Sequence, residues 1–153
     1  DPQQINLISE EDKRRATIRL LLSYVEEHYA EKLSLEDLAD YAQYNRTYVS
    51  TLFKQMVGIN FHEYLTRVRF QHALNGLTYT NENLTDIALK NGFPDLKTLT
   101  SRFRSTFHRT PVQYRAMLKP DEVLYANVRK YLNPNDTILR EKLKEYAKTG
   151  LIQ

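Results

Sequence analysis

The stretch IALKNGFPDLKTLTSRFRSTFHRTPVQYR, residues Ile87 to Arg115, is the part of the chain whose reading decides the fold. It divides into three helix-length pieces separated by turn chemistry. Asn91-Gly92 can adopt the left-handed backbone that closes a helix, and Pro94 forces an extended approach to Asp95, a good N-cap for the next one. The pattern is helix, tight turn, helix. From Lys97 through Lys119 the chain carries Lys97, Arg102, Arg104, Arg109, Arg115 and Lys119 with no Asp or Glu among them. That makes a local positive surface to which a polyanion would be attracted.

Working outward, the same unit occurs once before. Leu35, Asp37, Ala39 and Tyr44 overlay Leu84, Asp86, Ala88 and Phe93; after one extra residue in the second turn, Val49, Phe53, Lys54 and Tyr64 overlay Leu99, Phe103, Arg104 and Tyr114. Each copy is a helix-turn-helix followed by the start of a supporting helix. Ala39 and Ala88 are small, so the second helix can cross closely, and Tyr44 and Phe93 are expected to drop from the turn into the core. Val49 with Phe53, and Leu99 with Phe103, form the buried stripe of the second helix at i, i+4 spacing. The outward face is then Arg46, Thr47, Ser50, Thr51 and Lys54 in the first copy. In the second it is Lys97, Thr98, Ser101, Arg102 and Arg104, with Thr100 near the edge. A charged and hydroxylated helix face is usually only solvated. Two of them, each following a helix-turn-helix, point to duplex DNA, because the second helix of that motif enters the major groove while flanking cations hold phosphates.

Capping chemistry places the remaining elements. Apolar Ile18, Leu21, Leu22, Val25 and Tyr29 recur at helical spacing from Lys13 to about Ala30. Ser34 with Asp37 opens a helix to about Ala42, Asn45 one to about Met56, and Asn60 with Glu63 a longer one to about Leu77. Asn83 with Asp86, Asp95, and Thr110-Pro111 with Gln113 open three more. The reading is all-α, with seven helices in about 105 residues and no strand-like alternation. Residues 1–12 read as a linker, a remnant of an upstream domain or an acidic first turn. Residues 121–149 read as two further helices that pack on the domain or offer a surface to a partner.

Composition limits the function classes. With 153 residues, 41% hydrophobic and 27% charged, the chain can bury a core, and its net charge of +3 decides nothing by itself. It has no cysteine, which removes disulfides, thiolate metal sites and cysteine nucleophiles. No apolar run approaches the length of a membrane span, no signal-peptide layout is present, and a cytoplasmic setting is expected. The chain begins at Asp1-Pro2 rather than Met, as a piece of a longer protein would. His28, His62, His72 and His108 lie at no metal-ligand spacing, and no phosphate loop or nucleophile elbow occurs. No enzymatic activity, cofactor or metal is expected. The eleven tyrosines read as packing rather than as a platform for single strands.

On these residues the chain resembles the AraC/XylS transcription regulators. The first copy carries LEDLA, YVSTLFK and FHEYLTRVR, and the second carries Ile87-Ala88, Gly92-Phe93, Phe103-Arg104, Thr110-Pro111 and Tyr114-Arg115. The structural signature is Ala39, Ala88, Gly92, Phe93, Phe103, Pro111 and Tyr114. The resemblance implies two helix-turn-helix subdomains joined by a long central helix. By the same resemblance, residues 13–118 are expected to form the DNA-binding domain; beyond it, residues 119–153 read as a helical C-terminal extension. By resemblance, base contacts fall on Thr47, Ser50, Thr51, Lys97, Thr98 and Ser101, and phosphate contacts on Arg46, Lys54, Thr100, Arg102 and Arg104. The implied partner is double-stranded DNA, with RNA polymerase and an effector-binding or dimerisation domain as further candidates. Three residues depart from the family pattern: Gln43 and His108 stand where glycine is usual, and Leu99 where an aromatic is. The rival reading is a helical protein–protein interaction module with solvated basic faces.

Overall fold

Helices begin in this chain where a side-chain oxygen takes over a first-turn amide that would otherwise lack a partner. Ser9, Ser34, Asn45, Asn83, Asp95 and Thr110 each do so at an N-cap, with full capping boxes at Ser34–Asp37 and Thr110–Gln113. Asn60 Oδ1 accepts from the Glu63 amide at 2.8 Å in the same way. The computed structural model describes residues 9–118. Over those residues it is all-helical: α1 Glu10–His28, α2 Leu35–Ala42, α3 Arg46–Val57, α4 Phe61–Tyr79, α5 Leu84–Lys90, α6 Leu96–Phe107 and α7 Pro111–Met117. Among the described residues no helix is long and apolar enough to cross a membrane.

Helix boundaries differ from expectation by a few residues. α1 starts at Glu10 rather than Lys13, because Ser9 caps it and Glu10, Glu11 and Asp12 form a first turn that favours the positive end of the helix dipole. It ends at His28 and α4 runs on to Tyr79. The two helices read in 121–149 lie outside the described residues.

The chain divides into two compact units, with the boundary between Arg69 and Phe70 inside α4. In the first, Ile18, Leu21 and Val25 of α1 pack with Leu38 and Ala39 of α2, Val49 and Phe53 of α3, and Phe61 and Leu65 from the start of α4. In the second, Phe70, Ala73 and Leu77 from the end of α4 pack with Ile87 and Ala88 of α5, Phe93, and Leu99 and Phe103 of α6, with Tyr114 of α7 against them. Phe53 meets Tyr64 edge-on at 5.2 Å, and Phe103 meets Tyr114 likewise at 5.2 Å, so the repeat extends to its aromatic contacts. Gly76 of α4 faces Ile87, where an added Cβ would come within 3.3 Å of Cγ2. One expectation fails: Phe93 is buried, but Tyr44 is 45% exposed. The backbone bonds match, Tyr44 N to Ala39 O at 3.0 Å and Phe93 N to Ala88 O at 2.9 Å. The side chains part because a phenol keeps its hydroxyl in water unless a buried partner is supplied, and Tyr44 stacks instead on Tyr48 at 4.5 Å.

Each repeat contains two left-handed positions, and glycine serves them crosswise. In the first, Gln43 has φ 59° and Gly58 φ 90°; in the second, Gly92 has φ 90° and His108 φ 56°. The first helix-turn-helix therefore keeps the usual turn despite Gln43. Asn91, at φ −101°, leaves the left-handed conformation to Gly92 alone.

Two arginines tie down the ends of helices. Arg69 donates from Nε to Tyr29 O at 2.7 Å and from Nη2 to Glu31 O at 2.8 Å, closing the segment after α1. Arg115 donates to Leu77 O at 3.3 Å, Thr80 O at 3.1 Å and Glu82 O at 2.6 Å, closing the segment after α4. Burial pulls both guanidinium pKa values down, and for Arg115 the neighbouring Glu82 carboxylate opposes it. Arg115 was expected on the positive surface; it is committed to backbone carbonyls instead.

Thermal melts test both devices. A non-glycine residue in the left-handed region costs about 1–2 kcal/mol, partly offset by the entropy that glycine loses, so Gln43→Gly and His108→Gly should each range from neutral to about 1 kcal/mol more stable, and Gly92→Val clearly less stable. Arg115→Ala should cost about 1.5–3 kcal/mol, since it leaves a set of charge-assisted bonds unmade, and Arg115→Lys should recover little of it.

Candidate nucleic-acid interface

Burial of one face of α3 and α6 determines what the other face presents. Val49 and Phe53 in α3, and Leu99 and Phe103 in α6, have no exposed surface. A helix places residues about 100° apart, so those pairs turn Thr47, Ser50, Thr51 and Lys54 of α3 outward, and Lys97, Thr98, Ser101 and Arg104 of α6. All eight are exposed, as is Arg46; Thr100 and Arg102 are half-buried. In α6, Leu96, Lys97, Thr100, Ser101 and Arg104 line one open groove. In the first unit, Glu36, Arg46, Ser50, Asn60 and His62 line a shallow one.

The helix starts differ in charge. Asn45 Oδ1 caps α3 by accepting from Tyr48 N at 2.8 Å, whereas Asp95 Oδ1 caps α6 by accepting from both the amide and the hydroxyl of Thr98 at 2.7 Å. The Thr98 side-chain and backbone bonds hold the Asp95 carboxyl below its ordinary range, with a smaller contribution from the Lys97 charge, against a slight opposing effect of burial. The Thr98 hydroxyl proton is thus already engaged, leaving a methyl group and acceptor lone pairs facing outward.

Two features lay beyond the sequence reading. The outward face of α3 carries no carboxylate of its own, yet Glu36 of α2 reaches it: Glu36 Oε1 lies 3.1 Å from Arg46 Nη1, in an exposed pair. That contact depends on how α2 crosses α3, which no local pattern encodes. Such a pair is worth little in water, and a phosphate could replace the carboxylate. The second feature is aromatic. Tyr41, Tyr44 and Tyr48 are 48%, 45% and 36% exposed, so these three are surface groups rather than packing. Tyr41 stacks on Tyr24 at 4.2 Å, and Tyr24 on His28 at 4.3 Å.

Comparison with known proteins gives the family. A family model described as a helix-turn-helix domain matches residues 38–117, just over half of the chain. An uncharacterised HTH-type transcriptional regulator of Staphylococcus aureus strain COL is 39% identical over 98 residues, 64% of this chain and 13% of that protein. The chain therefore spans about an eighth of the length of that relative. Among solved structures, an AraC-type transcriptional regulator from Chromobacterium violaceum superposes with a TM-score of 0.62 at 29% identity, covering 67% of this chain and 91% of that one. The DNA-binding domain of AdpA, solved in complex with a target DNA, has the same fold at a TM-score of 0.60 and 24% identity, covering 64% of this chain and 88% of that one.

The Asp95 cap has a pH dependence. Because its folded pKa lies below the unfolded one, the cap stabilises the fold fully above the ordinary carboxylate range and loses that contribution as pH falls through the folded pKa. Asp95→Asn, which still caps but cannot titrate, should melt below the parent at neutral pH, and the gap should close in melts taken at acid pH. A gap unchanged by pH would mean that the charge on Asp95 contributes nothing. The paired helix-turn-helix motifs, the buried signature Ala39, Ala88, Phe93, Phe103 and Pro111 with the left-handed Gly92, and the matches above place this chain in the AraC family, with that family's double helix-turn-helix fold.

Proposed function

We propose that α3 and α6 are recognition helices that read promoter DNA sequence-specifically in successive major-groove segments. The observation that carries this reading is the repeated pairing of a fully buried Val/Phe or Leu/Phe stripe with an outward face of hydroxyls and cations. Thr47, Ser50, Thr51, Lys97, Thr98 and Ser101 take the base edges; Arg46, Lys54, Thr100, Arg102 and Arg104 take the phosphates. Lys97 is the cation best suited to a guanine edge, while the first head, with only small hydroxyl readers, leans on methyl contacts and DNA shape. The chain acts as a non-catalytic part of a longer cytoplasmic regulator, in which a further domain senses an effector or dimerises and RNA polymerase is a partner.

Selection of bound sequences from a random duplex pool defines the site, and mobility shifts across salt then test the roles. Lys97→Ala should cost roughly 1–3 kcal/mol at the selected site and relax preference at one or two base pairs. Arg104→Ala should weaken selected and random duplex alike and lower the salt slope by about one phosphate. A loss on Lys97→Ala that is equal for both duplexes would remove its role as a reader. A chain that never shifts duplex at low salt would instead be an interaction module with solvated faces.

A further inference from the structure

The register of the internal repeat assigns a reader that the charge and hydroxyl pattern passes over. Val49, Phe53 and Lys54 correspond to Leu99, Phe103 and Arg104, so Tyr48 corresponds to Thr98. Their backbones are held alike: the Tyr48 amide donates to its N-cap Asn45 at 2.8 Å, and the Thr98 amide to its N-cap Asp95 at 2.7 Å. Both side chains are exposed at the third position of their helices. In α6 the hydroxyl proton at this position is engaged by Asp95, leaving a methyl; in α3 the position presents an aromatic ring. The Tyr48 ring also has an aromatic neighbour. Tyr44 packs against it at a tilt, with centroids 4.5 Å apart and planes 35° from parallel, and both residues keep over a third of their surface in solvent. A half-exposed pair of rings held beside Thr47 and Thr51 offers an apolar surface that loses little conformational freedom on contact.

We propose that Tyr48 is a specificity-determining residue of the first head, its ring making apolar contact with a thymine 5-methyl group in the major groove, and that Tyr44 is a positioning residue that holds that ring. The proposal rests on the reading of α3 as a recognition helix. It also explains how a head whose other readers are Thr47, Ser50 and Thr51 can prefer one base, since a T methyl is the apolar feature of the major-groove edge.

The test uses the whole chain and its selected duplex, with each thymine of the first half-site replaced in turn by uracil, which lacks only the methyl. Parent binding should weaken at one position by about four-fold, the worth of one buried methyl group. Tyr48→Ala should bind the thymine and uracil duplexes equally, while Tyr48→Phe keeps the discrimination because the ring carries it. Tyr44→Ala should shrink the discrimination between the thymine and uracil duplexes, and Tyr44→Phe should restore it. The assignment is overturned if no uracil position matters to the parent, if Tyr48→Ala lowers selected and random binding equally, or if Tyr48→Phe behaves as Tyr48→Ala, which would make the hydroxyl the contact. Parallel Lys97→Ala measurements separate the failures: if they still show selective loss, only the Tyr48 assignment falls, whereas no sequence preference in any variant defeats the DNA-reading function itself.

Discussion

Everything the two candidate reading faces present follows from the burial of an aliphatic and an aromatic side chain one helical turn apart. Val49 with Phe53 and Leu99 with Phe103 are wholly removed from solvent. Each such pair is worth several kcal/mol of transfer free energy, so rotating either helix to present another face would forfeit more than any polar contact could return. The apolar requirement thus fixes the angular position of the polar residues. The small Ala39 and Ala88, at 4% and 0% exposure, let the preceding helix approach closely enough for this burial.

Charge count and available charge are different quantities here. Arg115 belongs to the basic run that first draws notice, yet its guanidinium is committed to three carbonyls, and Arg69 is likewise committed to two. Arg46 faces outward but shares its charge with Glu36. Lys54, Lys97 and Arg104 are exposed; Lys97 sits beside the Asp95 carboxylate that caps α6, whereas Arg104 lies in the last turn of that helix. Of the cations on the two outward faces, Lys54, Lys97 and Arg104 therefore keep more of their charge available than Arg46 does.

Most of the fold was legible because its signals are local. Ser34 with Asp37 and Thr110 with Gln113 form the boxes that their spacing announces, and the repeat register supplies the two buried stripes. What escaped depends on neighbours distant in sequence. The repeat equated Tyr44 with Phe93, but equivalence of backbone does not bury a phenol, and the Tyr44–Tyr48 stack reverses the expectation. The Arg46–Glu36 pair and the Arg115 bonds come from helix crossings that no window of sequence contains. Gln43 and His108 were seen as departures from glycine, and both hold the left-handed conformation all the same, at φ 59° and 56°, because the backbone bonds of the turn and the helix end outweigh the strain.

The central claim, that one chain carries two distinct readers, can be tested with a chain that has no cysteine of its own. A single cysteine introduced as Ser50→Cys or Ser101→Cys can be tethered to an iron chelate, and hydroxyl-radical cleavage of the selected duplex then maps each helix separately. The account predicts two cleavage centres about 34 Å apart along the duplex, one helical turn or roughly 10–10.5 base pairs, each in its own half-site. Cleavage from both positions at a single centre, or from only one of them, would contradict it.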